Sequence, residues 1–254
     1  LSHKNRISPM TRSISILLLA SLFHVCGLHA QQNNIQFGFQ LSPTFSNMNT
    51  SDNLINSDGT NLGLKMGLVG EIPIGDNYAI TTGLGFHFNA GGTLFFEDRY
   101  DRVDIWNQVS EVGDTSFAGG TSFKYNLQFV EIPFGLTLRT REFGYLRYYL
   151  QPLITLGFST RSRGNVKNVA FIDENEDYDI GSAVNAINLS WGIGAGVEYL
   201  ISSETFLFGG LAFQSGFADI TQDRQTVVTR DGVERQEDSR GKINSIVLRL
   251  GVMF

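Results

Sequence analysis

The sequence predicts an all-β fold: an eight-stranded antiparallel transmembrane β-barrel with long extracellular loops and short periplasmic turns. Three observations lead there. Apolar residues alternate with small or polar ones along eight segments, most of them as long as the roughly nine to eleven residues that a tilted strand needs to cross a bilayer. The connections between segments are alternately long and polar, then short and tight. An apolar leader stands ahead of the whole array.

The leader comes first in the chain. Lys4, Arg6 and Arg12 precede the apolar run from Ile14 to Val25, and "CGLHA" follows. That is the order of a secretory signal peptide, so residues 1–30 are expected to be removed after Ala30, with Met10 as an alternative start. The run is too short to span a membrane as a helix. Cys26 would suit lipid attachment, but Val25 stands before it where a small residue is expected. Cleavage takes away the only cysteine, three of four histidines and three of 19 basic residues. Residues 31–254, the expected barrel domain, then hold 16 basic against 25 acidic groups, a net charge of −9. This balance argues against a nucleic-acid partner, and the loss of cysteine excludes disulfides and thiolate chemistry.

The eight strands are expected near 35–45, 62–73, 78–90, 123–139, 145–159, 187–200, 205–217 and 242–254. Long loops then cover 46–61, 91–122, 160–186 and 218–241, while "GDN", "TREFG" and "SSET" make the turns. Long after odd strands and short after even ones is the asymmetry of an outer-membrane barrel whose termini lie on the periplasmic side. In "INLSWGIGAGVEYL" one face carries Ile187, Leu189, Trp191, Ile193, Val197 and Tyr199, and the other Asn188, Ser190, Gly192, Gly194, Gly196 and Glu198. Glycine weakens a strand and gains nothing in water, whereas a narrow eight-stranded lumen has room for little else. The bulky face therefore points to lipid. Tyr78, Tyr199, Phe206 and Phe254 fall at the turn-side ends, where an interfacial aromatic girdle is expected. In hydrocarbon an open edge would leave amides unpaired, so the first and last strands should join.

The phrases "GEIPIG" and "VEIPFG" each set a glutamate in an apolar run with a proline two residues on. Parity turns Glu71 and Glu131 into the lumen, and places Arg147, Glu198 and Arg249 on the same inner half. These five form an expected lumen ionic cluster. Interleaved charges of opposite sign satisfy one another in a space too dry to hydrate them, so the cluster is read as a packed plug that fixes register. A gated path or a partner-sensing site is the alternative. Upstream in the same strand, Phe123, Tyr125, Leu127 and Phe129 are read as lipid-facing, which requires a parity slip, a β-bulge, near Val130.

Other chemistry is sparse. His87, the one histidine beyond the leader, is inward and could serve as a base beside a hydroxyl, but no nucleophile elbow or second histidine supports catalysis. No catalytic residue is assigned. In "DENEDYDIG", Asp173, Asn175, Asp177 and Asp179 match the first ligand spacings of a calcium loop. Tyr178 replaces the turn glycine and Val184 the closing glutamate, so a solvated acidic loop is the competing reading and no cofactor other than Ca²⁺ is suggested.

The ending "AQQ" of the leader, "IQFGFQLSPTFS", "FVEIPFGLTLR" and "INSIVLRLGVMF" together resemble the PorT-like porin-family barrels of Bacteroidetes, over residues 33–254. The resemblance implies an outer-membrane barrel whose final aromatic residue, Phe254, belongs to the signal read by the barrel-assembly machinery. It also suggests, as one option, an accessory part in type IX secretion or gliding. The expected partners are outer-membrane lipid, that machinery, and a protein or glycan ligand at the external loops, which carry polar sequence on a rigid scaffold. A narrow channel and a lipid-modifying hydrolase are the other options.

Overall fold

The computed structural model describes residues 35–109, 112, 115–169, 176–202 and 205–254. The leader and its expected cleavage site lie outside these residues. Among the described residues twelve strands run in chain order: β1 (Gln36–Asn49), β2 (Ile55–Pro73), β3 (Tyr78–Phe96), β4 (Arg102–Asp104), β5 (Ser122–Arg139), β6 (Leu146–Lys167), β7 (Tyr178–Asp179), β8 (Ile187–Leu200), β9 (Phe206–Gly216), β10 (Val227–Arg230), β11 (Val233–Gln236) and β12 (Lys242–Met253). Eight of them close one antiparallel barrel, in the order β5-β3-β2-β1-β12-β9-β8-β6 with β5 pairing back onto β6. The seam between the chain ends is made as expected, from Gly38 opposite Met253 to Asn49 opposite Lys242. Reciprocal amide bonds between Phe37 and Phe254 (3.2 and 2.7 Å) tie its periplasmic end.

Alternation sets the two surfaces. Phe39, Leu41, Leu68, Leu84, Phe86, Phe134, Ile154, Trp191, Leu211 and Ile246 are exposed on the outer wall, while Lys65, Glu71, Thr81, Thr137, Gln151, Glu198 and Arg249 are buried on the inner one. Small inner residues let the walls approach. A Cβ added at Gly196 or Gly210 would lie 2.7 Å from the Tyr149 hydroxyl, so that ring fits across the lumen only because both positions are glycine.

Two expectations are corrected. First, the long connections are less loop than strand: β2, β3 and β6 run well past the expected ends, to 19, 19 and 22 residues, whereas β5 keeps its expected bounds to within one residue. Second, β5 has no parity slip. Phe123, Tyr125, Leu127 and Phe129 are all buried on the inner face, in line with Glu131 below them. The irregularities sit on the neighbouring strands. On β3 the register shifts between His87 and Ala90, where Asn89 takes a φ of 56°; on β6 Thr160 is the extra residue between the partners of Gln128 and Phe129.

These three rings and Leu127 point inward because this end of the barrel is filled with protein rather than polar groups. The described residues between β3 and β5 fold over the mouth and insert Val103, Trp106 and Phe117, joined by Ile180 and Ile220 from other connections. Trp106 meets Phe123 and Tyr125 edge to face, with centroids 5.4 and 5.3 Å apart, and its Nε1 donates to the Tyr125 hydroxyl at 3.2 Å. A small sheet, β11-β10-β4, roofs this cap, and the β10–β11 hairpin turns at Asp231 and Gly232, both at positive φ as a type I′ turn needs.

Trp106 is 1% exposed at the centre of the cap. Trp106→Ala should therefore cost about 3–5 kcal/mol locally. Limited proteolysis in detergent is expected to cut residues 97–121 in the variant and not in the parent, while the barrel strands stay protected.

Candidate functional site in the barrel lumen

The inward charges form two separate levels. The lower one centres on Arg139, at the turn-side end of β5. Its Nε donates to both carboxylate oxygens of Glu198 on β8, at 2.8 and 2.9 Å, and its second terminal nitrogen pairs with Glu71 on β2. One guanidinium thus bridges two acids from opposite walls. Arg147 on β6 adds its Nε, 3.2 Å from Glu198 Oε2 but out of line for a hydrogen bond, and reaches Glu142 in the turn at 3.9 Å. Both guanidiniums cover the ring of Phe206, with each Cζ 5.4 Å from its centroid.

A hydroxyl and amide layer lies on top. Thr81 and Thr137 donate to Glu71 Oε1 at 3.3 and 3.2 Å, and Gln151 Nε2 donates to both threonines at 3.0 and 2.7 Å. Arg249 donates to Gln151 Oε1 and stacks over Tyr149 and Phe208, 5.6 and 5.4 Å from the ring centres.

Glu131 belongs to the upper level. Lys65 Nζ donates to its two oxygens at 3.0 and 2.7 Å and to Gln214 Oε1 at 2.6 Å. His87 Nδ1 lies 3.1 Å from Glu131 Oε1, and His87 Nε2 lies 3.2 Å from Thr44 Oγ1. Hydroxyl, imidazole and carboxylate in a row is the order of a nucleophilic triad. Thr44 is fully buried, however, and the void beside His87 measures about 10 Å³, space for one water and no substrate. A larger void of about 60 Å³ separates the two levels, lined by Lys65, Glu131, Gln151, Thr155, Gln214 and Arg249.

Of the five residues expected to cluster, Glu71, Arg147 and Glu198 are brought together, Arg249 sits beside them on neutral partners, and Glu131 lies apart. The central cation, Arg139, is inward by parity yet falls outside the expected cluster. Its legible signal is its place on the Glu131 strand, two residues past Thr137. Lys65 and Thr44 carry no signal beyond parity. Phe206 is corrected: it is 2% exposed and floors the lumen instead of joining the girdle. Tyr78, Tyr199 and Phe254 are exposed on the periplasmic rim. In the calcium-like loop, Asp173 and Asn175 lie outside the described residues. Asp179 Oδ1 accepts from the Gly181 amide at 3.1 Å. Among the described residues no group of three or more histidine, cysteine, aspartate or glutamate side chains is arranged to hold a metal.

A further acidic site, in the cap, has no signature in the sequence. Asp223 and Glu237 lie close enough for each charge to act on the other, with Asp219 and Asp52 near them. Burial first, and then the charges of Glu237 and Asp219, push the Asp223 carboxyl up to about 8; burial likewise raises Glu237.

A closed antiparallel cylinder with an apolar outer wall, a charged and filled lumen and a roofed mouth defines a small outer-membrane β-barrel protein. A family profile described as "Outer membrane protein beta-barrel domain" matches residues 29–222, and the chain belongs to that family. The outer membrane is accordingly its location. A comparison with curated protein sequences returns no match. Among solved structures it is similar to Neisserial surface protein A (13% identity, 85% of this chain and 95% of that one, TM-score 0.44). It is also similar to a major outer membrane protein from Thermus thermophilus (17% identity, 87% and 98%, TM-score 0.40). A third is the outer membrane protease OmpT from Escherichia coli (9% identity, 88% and 96%, TM-score 0.38).

Arg139→Leu leaves Glu71 and Glu198 buried without their shared cation and should cost about 3–5 kcal/mol, whereas Arg147→Leu, at the wetter rim, should cost clearly less. The temperature at which the folded band disappears on a semi-native gel measures both. For Asp223 and Glu237 the folded state holds protons that the unfolded chain releases. Their contribution to cap stability is therefore full below the ordinary carboxylate range and lost as pH rises through their raised values, about 8 for Asp223. Protease resistance of the cap should rise between pH 9 and pH 5 (roughly the window set by ordinary and raised carboxylates), and Asp223→Asn should flatten that rise.

Proposed function

We propose that this protein is a non-conducting outer-membrane barrel that presents its folded cap as an interaction surface for a protein or glycan. The observation that carries this reading is the plugging of the lumen at three heights: the Arg139 level, the Lys65–Glu131–His87 level, and the aromatic core around Trp106. The voids left between them, about 60 and 10 Å³, are too small and too separate for solute passage. The ionic levels act as structural pins that hold register. Binding falls to the cap, where an open pocket of about 440 Å³ is lined by Asp52, Asn53, Arg99, Tyr100, Arg230 and Arg235. Arginine, carboxylate and amide groups beside a phenol suit a polyhydroxylated or charged ligand.

The resemblance of "FVEIPFGLTLR" and "INSIVLRLGVMF" to PorT-like barrels of Bacteroidetes supports membership in that narrower group, with Phe254 as the assembly signal. An accessory role in type IX secretion is the second reading that it favours.

Reconstituted in a planar bilayer, the protein should give no unitary current steps, and Arg139→Ala together with Glu198→Ala should not open a lasting pore because the cap core still blocks the mouth. Steady stepwise conductance of the parent protein would refute the plugged-lumen reading.

A further inference from the structure

The outer wall of β5 and β6 changes character abruptly above the membrane. On β6 the outward apolar series ends at Phe158, and above the Thr160 bulge the outward positions are Arg161, Arg163, Asn165 and Lys167. On β5 the facing positions are Val130, then Gln128, Asn126 and Lys124. Register sets Arg161 opposite Gln128, Arg163 opposite Asn126, and Asn165 opposite Lys124. Four cations therefore share one flank, at about 6–7 Å per outward step, directly over the hydrocarbon belt. Elsewhere the first outward positions above the last apolar residue are uncharged or mixed: Asn47 above Phe45, Thr60 and Asp58 above Leu62, Ser215 above Phe213, Asn244 and Lys242 above Ile246.

These cations are unspent. Arg99, Arg102 and Arg230 on the cap each pair with a carboxylate, but none of Lys124, Arg161, Arg163 and Lys167 forms an ion pair within 4.0 Å with a described residue. The Nε of Arg163 is shielded from solvent and bonds to no described residue. Asp179, its cross-strand neighbour on β7, accepts from the Gly181 amide, and Asp58 accepts from Ser122 Oγ at 2.8 Å.

We infer that this flank binds the phosphate of a lipid headgroup in the outer leaflet. Two guanidiniums offer the planar paired donors that match phosphate oxygens, with lysines as flanking point charges. The height supplies the remaining specificity. A lipid whose acyl chains lie against Phe158, Ile154 and Leu150 carries its phosphate up to Arg161 and Arg163, while the aliphatic stems of those residues cover the top of the apolar wall. A free anion lacks that tether.

The test uses the folded full chain in detergent and counts bound molecules by native mass spectrometry. Probes are dioctanoyl phosphatidic acid, dioctanoyl phosphatidylcholine, inorganic phosphate and a short heparin oligosaccharide. Phosphatidic acid should bind in preference to the choline lipid, and Arg161→Gln with Arg163→Gln should weaken it about 30-fold, the loss expected for two interfacial charges. Arg224→Gln with Arg240→Gln, equal in charge but on the cap, should leave it unchanged. A semi-native gel shows that each variant is folded. The inference is overturned if the β6 variant binds phosphatidic acid as the parent does, if the cap variant loses it equally, or if inorganic phosphate or the oligosaccharide binds as tightly as the lipid.

Discussion

The constraint beneath the whole structure is that the outer wall meets hydrocarbon, where an amide without a partner has no water to turn to. Eight strands can satisfy it only by closing, and closure is completed by the pairing of β1 with β12. Closure at this strand number leaves a narrow interior. A charge placed there must then find its partner across the lumen, which is why Arg139 reaches Glu71 and Glu198 on two other strands rather than a neighbour in sequence.

The interior follows two different rules at its two ends. In the membrane-spanning part, charged and amide side chains from opposite walls pair with one another; above it, the connections supply apolar groups, and the same inner face of β5 carries rings. Phe129 and Glu131 are adjacent on that face, and the change from one regime to the other occurs between them. The bulges at Asn89 and Thr160 lie at this height on both flanking strands. Extra residues there bend β3 and β6 locally while β5 carries none.

Much of this is legible in the sequence because period-two alternation reports solvent contrast directly. Strand count, closure, the alternation of long and short connections and the inward direction of Glu71, Glu131, Arg147, Glu198 and Arg249 all follow from it. What alternation cannot supply is the identity of the apolar solvent. Phe123, Tyr125, Leu127 and Phe129 have the signature of a lipid-facing row, yet their partners are Trp106, Phe117 and Val103, brought from a connection that reads as polar loop. Phe206 fails for the same reason: a ring at a turn-side end suits a girdle, and only the positions of Arg139 and Arg147 show that it faces them. Pairing is likewise beyond parity, which fixes the face of each charge but not its height relative to strands far away in sequence. Glu131 and Glu71 share a motif and a face, but stand on different levels with different cations.

The two glutamate motifs also show how a single phrase can serve unlike ends. Each puts a carboxylate inward and a proline two residues later on the same face. After Glu71 the chain reaches the turn almost at once, so this acid meets the rim cations. After Glu131 it continues for eight more residues to Arg139. That length carries the strand's own cation down to the level of Glu71, while Glu131 is left to Lys65 and His87. One strand thus contributes an acid to the upper level and a base to the lower. Any one-residue slip of β5 would turn both toward lipid at once, and it is this joint penalty, more than either pair alone, that makes the register of the barrel single-valued.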